Sequence, residues 1–97
     1  MYLCKQIFIS GRVQGVYFRE STRNIATELK LTGYVRNLHD GRVEVGVAGD
    51  EMAIHSLIKW LEIGPKLAKV STIEVLDYPV DSPQIQQNSQ FEIWPSK

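Results

Sequence analysis

Apolar residues alternate with polar ones in some stretches of this chain and recur every third or fourth position in others. The first spacing marks strands and the second marks helices. Residues 2–10 contain QIFIS, short, β-branched and aromatic-rich, and read as a strand that ends at Gly11. From Phe18 the period lengthens. Phe18, Thr22, Ile25, Ala26 and Leu29 share one face, which predicts an amphipathic helix of roughly three to four turns. Thr32-Gly33 is expected to end it, glycine supplying the left-handed residue that helix C-termini favour. GYVRNL (33–38) predicts a second strand, and HDG (39–41) a hairpin turn, because Asp-Gly readily takes positive φ angles. RVEVGVAG (42–49) alternates strictly, with Val43, Val45 and Val47 facing one way. Asp50 suits a helix N-cap and Glu51 a first turn. Ile54, Leu57, Ile58 and Leu61 then form a second apolar face, stopped by Gly64-Pro65. KVSTIEVLDY (69–78) predicts another strand. PVDSPQIQQNSQ (79–90), polar with two prolines, reads as an irregular loop, and FEIW (91–94) as a short final strand before Pro95.

The predicted order is β-α-β-β-α-β plus a terminal strand. Each helix has one apolar face, so both are expected on one side of an antiparallel sheet of roughly four to five strands, with the other side wet. This is the α+β, ferredoxin-like architecture built from a split βαβ pair. The chain, residues 1–97, reads as a single domain without linker, repeat or low-complexity tract.

Composition narrows the function. The chain is 43% apolar and 23% charged, which is ordinary for a globular protein. Eleven basic residues balance eleven acidic ones, so no global field recruits nucleic acid or an anionic membrane. Any anion site must therefore be local. The one cysteine, Cys4, has no partner for a disulfide and no second thiol for a metal site; it reads as a small strand residue. A missing disulfide framework fits a reducing compartment. MYLCKQIFIS lacks the basic region and long apolar run of a signal peptide, and no stretch approaches the roughly 20 apolar residues of a membrane span. A cytoplasmic protein is expected, and nothing in the sequence demands more than a monomer.

The stretch GRVQGVYFR (11–19) lies between the first strand and the first helix, and it closes on an arginine. A cation at a helix start is disfavoured by the macrodipole. A glycine-bearing turn running into free helical N–H groups can form an anion nest. Gly15 would let backbone approach a ligand or take φ angles other residues avoid, while Val13, Val16 and Phe18 anchor the turn. An anion between Arg19 and the N–H groups of Gly15, Val16, Tyr17, Phe18 and Arg19 itself would explain the arginine, whose planar fork suits phosphate oxygens. The plain alternative is a glycine loop with a solvated arginine. The stretch matches neither G-x-x-x-x-G-K-[ST] nor G-x-G-x-x-G. Asn37, in GYVRN (33–37), falls near a strand end, where its amide can hold a water or bond its own backbone.

GRVQGVYFR, followed by GYVRN and DGRVEVGVAG, closely resembles the acylphosphatases, and the resemblance runs along essentially the whole chain, including GP after the second helix and the final FEI. It implies a small ferredoxin-like enzyme that hydrolyses carboxyl-phosphate bonds, as in acetyl phosphate, carbamoyl phosphate and 1,3-bisphosphoglycerate, with no metal or other cofactor. The family's catalytic arginine matches Arg19 and its catalytic asparagine matches Asn37. Tyr17 stands where the family often has a small residue, and WPSK replaces the charged or tyrosine ending common in the family. The implied partners are a small acyl phosphate and inorganic phosphate.

Other residues carry less. His39 and His55 are isolated from ligand-type neighbours and read as surface or partly packed. Asp40 and Asp50 are explained by a turn and a cap. Tyr2, Tyr34, Tyr78, Trp60 and Trp94 read as packing residues, and Arg12, Arg23, Arg36 and Arg42 as solvated charges that could share an end with Arg19. The same fold also hosts two other functions. RNA binding through stacked sheet aromatics fits poorly, because the third strand has no aromatic and the net charge is zero. A non-catalytic acyl-phosphate- or phosphate-binding module, as in large carbamoyl-transfer proteins, would bind without turnover.

Overall fold

The alternating and helical stretches fold into β1 (Tyr2–Arg12), α1 (Phe18–Glu28), β2 (Thr32–Asn37), β3 (Val43–Asp50), α2 (Glu51–Leu61), β4 (Lys69–Asp77) and β5 (Phe91–Ile93). The computed structural model describes residues 1–78 and 90–97. The loop expected over 79–90 lies outside these except for Gln90, whose carbonyl accepts from the Gly33 N–H. The strands form one sheet in the order β4-β1-β3-β2-β5. Each helix crosses between two strands that leave a third between them, which is the split βαβ arrangement expected.

Antiparallel pairing holds for β1–β3, β1–β4 and β2–β3, but β5 runs parallel to β2, from Gly33↔Phe91 to Val35↔Ile93. The sheet is therefore mixed rather than wholly antiparallel. A strand this short has no period from which its direction can be read.

Odd-numbered residues of β1 and β3 face the helices. Ile7, Ile9, Val43, Val45 and Val47 form one buried cluster with Phe18, Ala26, Ile54, Leu57 and Leu61. Burying each such large side chain contributes about 1.5–3 kcal/mol relative to exposure. Thr22 is buried in this layer without a polar cost, because its hydroxyl donates to the Phe18 carbonyl at 2.7 Å. Asp50 caps α2 as expected, its carboxylate accepting from the Met52 N–H at 3.0 Å. The end of α1 differs from expectation. Lys30, at φ 61°, is the left-handed residue, with Lys30 N–H bonded to Thr27 O and Leu31 N–H to Ala26 O. That is a Schellman closure, three residues before Gly33, which lies inside β2.

The far side of the sheet is not simply wet. Tyr34 is fully buried there beside Cys4 and Ala48. Its ring lies over Gly46, its partner in register, where any Cβ would strike the ring. Trp94 stacks on Tyr34 with centroids 3.9 Å apart and planes within 6°. The Arg36 guanidinium lies 5.3 Å from the Tyr34 ring centroid and pairs with Glu44 at 2.9 Å. Glu44 also accepts from the Tyr34 hydroxyl and from Gln6. Burial works to raise the Glu44 pKa, yet the bonds from Arg36, Tyr34 and Gln6 outweigh it and hold the carboxyl below its usual range. The sheet aromatics thus stack on each other, as the packing reading of Tyr34 and Trp94 expected. Tyr2 instead is largely exposed.

Candidate active site

The turn from β1 into α1 is held by alternation in miniature. Val13, Val16 and Phe18 point inward and are nearly fully buried, with Phe18 against Trp60 at 5.8 Å between ring centroids. Gly15 and Tyr17 are thrown outward, and Arg19 follows, half-buried. Gly15 takes φ +74°, and a Cβ there would meet open space, so glycine serves this turn by conformation rather than by room. Tyr17 also lies in the left-handed region, at φ 62° and ψ 25°, and occupies the N-cap of α1 without a side-chain cap. A left-handed residue followed by a helical one turns successive N–H groups toward one concavity. The N–H groups of Gly15 to Glu20 donate to no protein acceptor among the described residues. Together with the positive end of the α1 dipole they are suited to an anion.

Arg19 and Asn37, remote in sequence, line the same cleft with Val13, Gly15, Tyr17, Phe18, Glu20 and Ile93. The cleft has a volume of about 420 Å³. Arg19 makes no ion pair among the described residues. Asn37 stands at the end of β2, and its Oδ1 is buried with no hydrogen-bond donor among the described residues. Buried polar atoms are nearly always paired, and the described residues supply no partner for this one. The cleft therefore has a cationic end, an amide and an apolar wall of Val13, Phe18 and Ile93. It can bind a compact anion and orient a small polar molecule beside it.

The other arginines do not join this cleft. Arg36 and Arg42 line a separate depression on the far side of the sheet, where Arg42 pairs with Asp40 at 2.9 Å and lies over Phe8. Arg12 and Arg23 line neither. His39 and His55 are exposed. Cys4 is a buried free thiol whose pKa is pushed up by that burial, which keeps it protonated and unreactive. Among the described residues, no helix is long and apolar enough to cross a membrane.

Three features escaped sequence reasoning. Glu20 stands on the rim of the cleft, an acidic residue beside an anion site. Gln14 reaches out of the turn, its Nε2 donating to Leu38 O at 2.8 Å and to Arg42 O at 2.9 Å. Residues 94–97 continue β5 along β2: Trp94 N–H bonds Val35 O, Lys97 N–H bonds Asn37 O at 2.9 Å, and His39 N–H bonds Lys97 O at 2.7 Å. The backbone of Asn37 is thereby held by WPSK. Glu20 and Gln14 adjoin residues already singled out, Arg19 and Gly15, but the partners of Gln14 and Lys97 are distant in sequence.

The family model described as Acylphosphatase matches residues 5–93. An acylphosphatase of Nitrosococcus oceani is 49% identical over 93 residues, spanning 96% of this chain and 99% of that relative. The structure of an acylphosphatase from Coxiella burnetii superposes with a TM-score of 0.86 at 40% identity, covering 96% of this chain and 93% of that one. Full-length HypF in its phosphate- and nucleotide-bound form also aligns, with a TM-score of 0.86 at 31% identity, all of this chain matching 12% of that one.

Proposed function

The chain belongs to the acylphosphatase family, hydrolases that act on acyl phosphates, and from that premise we propose how this chain performs the reaction and with which residues. The phosphoryl group of a small acyl phosphate is bound by the N–H groups of Gly15, Val16, Tyr17, Phe18 and Arg19 and by the Arg19 guanidinium. Asn37 holds the attacking water. The observation that carries the reading is the pairing, in one cleft, of an arginine and an asparagine oxygen that have, among the described residues, neither a carboxylate nor a hydrogen-bond donor as partner.

The chemistry asks little more than this. An acyl phosphate has a carboxylate leaving group that needs no proton, so positioning and charge stabilisation dominate. Water oxygen forms a bond to phosphorus. The bond from phosphorus to the acyl oxygen breaks, and its electron pair leaves with the carboxylate. Asn37 is too weak a base to take the water's proton. That proton passes to a phosphoryl oxygen of the substrate, giving carboxylate and dihydrogen phosphate. Arg19 and the N–H groups offset the charge on the phosphoryl oxygens as the bond breaks.

The partners proposed are the acyl phosphate and inorganic phosphate alone, with no nucleic acid, membrane or metal. The protein is proposed to act as a monomer. A reducing, cytoplasmic setting is supported by the single buried thiol. The same fold forms one segment of HypF, whose full-length structure is a phosphate- and nucleotide-bound form; the second reading is a domain that binds phosphate without turnover. Hydrolysis of acetyl phosphate in ¹⁸O-labelled water, with chelator present, separates the two. The enzyme reading expects rapid release with the label in phosphate. Phosphate binding without hydrolysis gives the module reading, and label in acetate places the attack at carbon and overturns the mechanism.

A further inference from the structure

We propose that Gln14 is a positioning residue that sets the distance between the bound phosphoryl group and the water held by Asn37; this rests on the roles given above to Arg19 and Asn37. Backbone pairing between β1 and β3 ends at Ile9↔Val43, and beyond it β1 follows β4, reaching Arg12↔Lys69. The anion turn and the β2–β3 hairpin therefore leave the sheet without a shared ladder. Among the described residues, the hydrogen bonds that join segment 13–19 to segment 37–42 are the two made by the Gln14 amide. Both of its hydrogens are used, one on Leu38 O and one on Arg42 O.

Those carbonyls are the two sides of the hairpin's base. Leu38 N–H already donates to Arg42 O at 2.8 Å, and Gly41 N–H to Leu38 O at 3.1 Å. The amide thus grips a structure fixed by its own turn, at the residue that directly follows Asn37. At its other end Gln14 is covalently joined to Gly15, the first residue of the cradle. One half-buried side chain spans the two halves of the site. Phosphate binding belongs to the cradle and Arg19, on one side of this tie. Water placement belongs to Asn37, on the other. Loss of the tie leaves each half intact and relaxes the distance between them, and a misplacement of about 1 Å lowers a rate by about a hundredfold.

The test is a cycle of Gln14→Ala, Asn37→Ala and the double variant, reading kcat for acetyl phosphate, the inhibition constant of inorganic phosphate, and the thermal midpoint. Gln14→Ala is expected to lower kcat by about ten- to a hundredfold, with the phosphate constant changed less than about threefold. In the Asn37→Ala background the same change is expected to lower kcat by less than about twofold, because residues acting as one unit are not additive. Gln14→Met, which keeps the stem's volume and donates nothing, is expected to match Gln14→Ala. Recovery of kcat in Gln14→Met, an equal loss in both backgrounds, or an unchanged kcat overturns the proposal. If Asn37→Ala alone leaves kcat intact, the role of Asn37 falls, and the proposal falls with it. If Asn37→Ala lowers kcat and the Gln14 effects are absent or multiplicative, only the proposal falls.

Discussion

Tyr17 holds its left-handed backbone at a measurable cost, and replacing it with glycine and with alanine isolates that cost. Both substitutions remove the same ring, which is 71% exposed and makes no hydrogen bond among the described residues. They differ in the Cβ. At φ 62° a Cβ crowds the following carbonyl, at about 1–2 kcal/mol. Glycine escapes this but loses more chain entropy on folding, about 0.5–1 kcal/mol. The difference leaves Tyr17→Gly more stable than Tyr17→Ala by about 0.5–1 kcal/mol. In a domain of this size that separates the thermal midpoints by about 2–8 °C. Urea unfolding and thermal melts of the two variants, followed by circular dichroism, measure it. Equal midpoints, or Tyr17→Ala the more stable, would refute the claim that the turn is strained to aim its N–H groups. The prediction also bears on function. The strain is stored where the cradle needs N–H groups turned inward, as strained residues at binding sites often are.

Two further outcomes follow from charges near the site and behind it. Glu20→Gln removes a like charge from the rim of the cleft, so the KM for acetyl phosphate should fall by about two- to fivefold at low salt, the effect of one exposed charge, with kcat unchanged; a rise in KM contradicts the placement of the anion there. Glu44 has a folded pKa below its ordinary value of 4.5, so its stabilisation is fully present above that value and is lost as pH falls through the lowered folded pKa. The stability gap between wild type and Glu44→Gln should therefore be widest above about pH 5 and narrow below about 4.5, as read by urea unfolding across pH, and a gap constant with pH contradicts the buried pairing.

What could be read from the sequence follows from how local each signal is. Val43, Val45 and Val47 carry their own period, and Asp50 sits directly before the helix it caps, so strands, helices and this cap were legible. The end of α1 was not. Gly33 looked like the left-handed residue because glycine adopts it freely, yet the Schellman bonds of Lys30 and Leu31 close the helix three residues earlier. The far side of the sheet was misread as wet because Tyr34 and Trp94 are remote in sequence and stack only once β5 has paired beside β2. The site divides in the same way. Arg19 was conspicuous as a cation at a helix start, whereas Asn37 was singled out only by the resemblance to the acylphosphatases. Gln14 sat in view within GRVQGVYFR, but its bonds reach Leu38 and Arg42, and nothing local to a glutamine announces such partners.

The central claim is a division of labour in one cleft: Arg19 holds phosphate, and Asn37 places water. Steady-state hydrolysis of acetyl phosphate, with inorganic phosphate as competitive inhibitor, tests it most directly in Arg19→Ala and Asn37→Ala. Arg19→Ala should lose about 10²–10³-fold or more in kcat/KM and bind phosphate far more weakly. Asn37→Ala should lose about a hundredfold in kcat and bind phosphate as wild type does. Full activity in either variant, or phosphate binding lost in Asn37→Ala and kept in Arg19→Ala, contradicts the account.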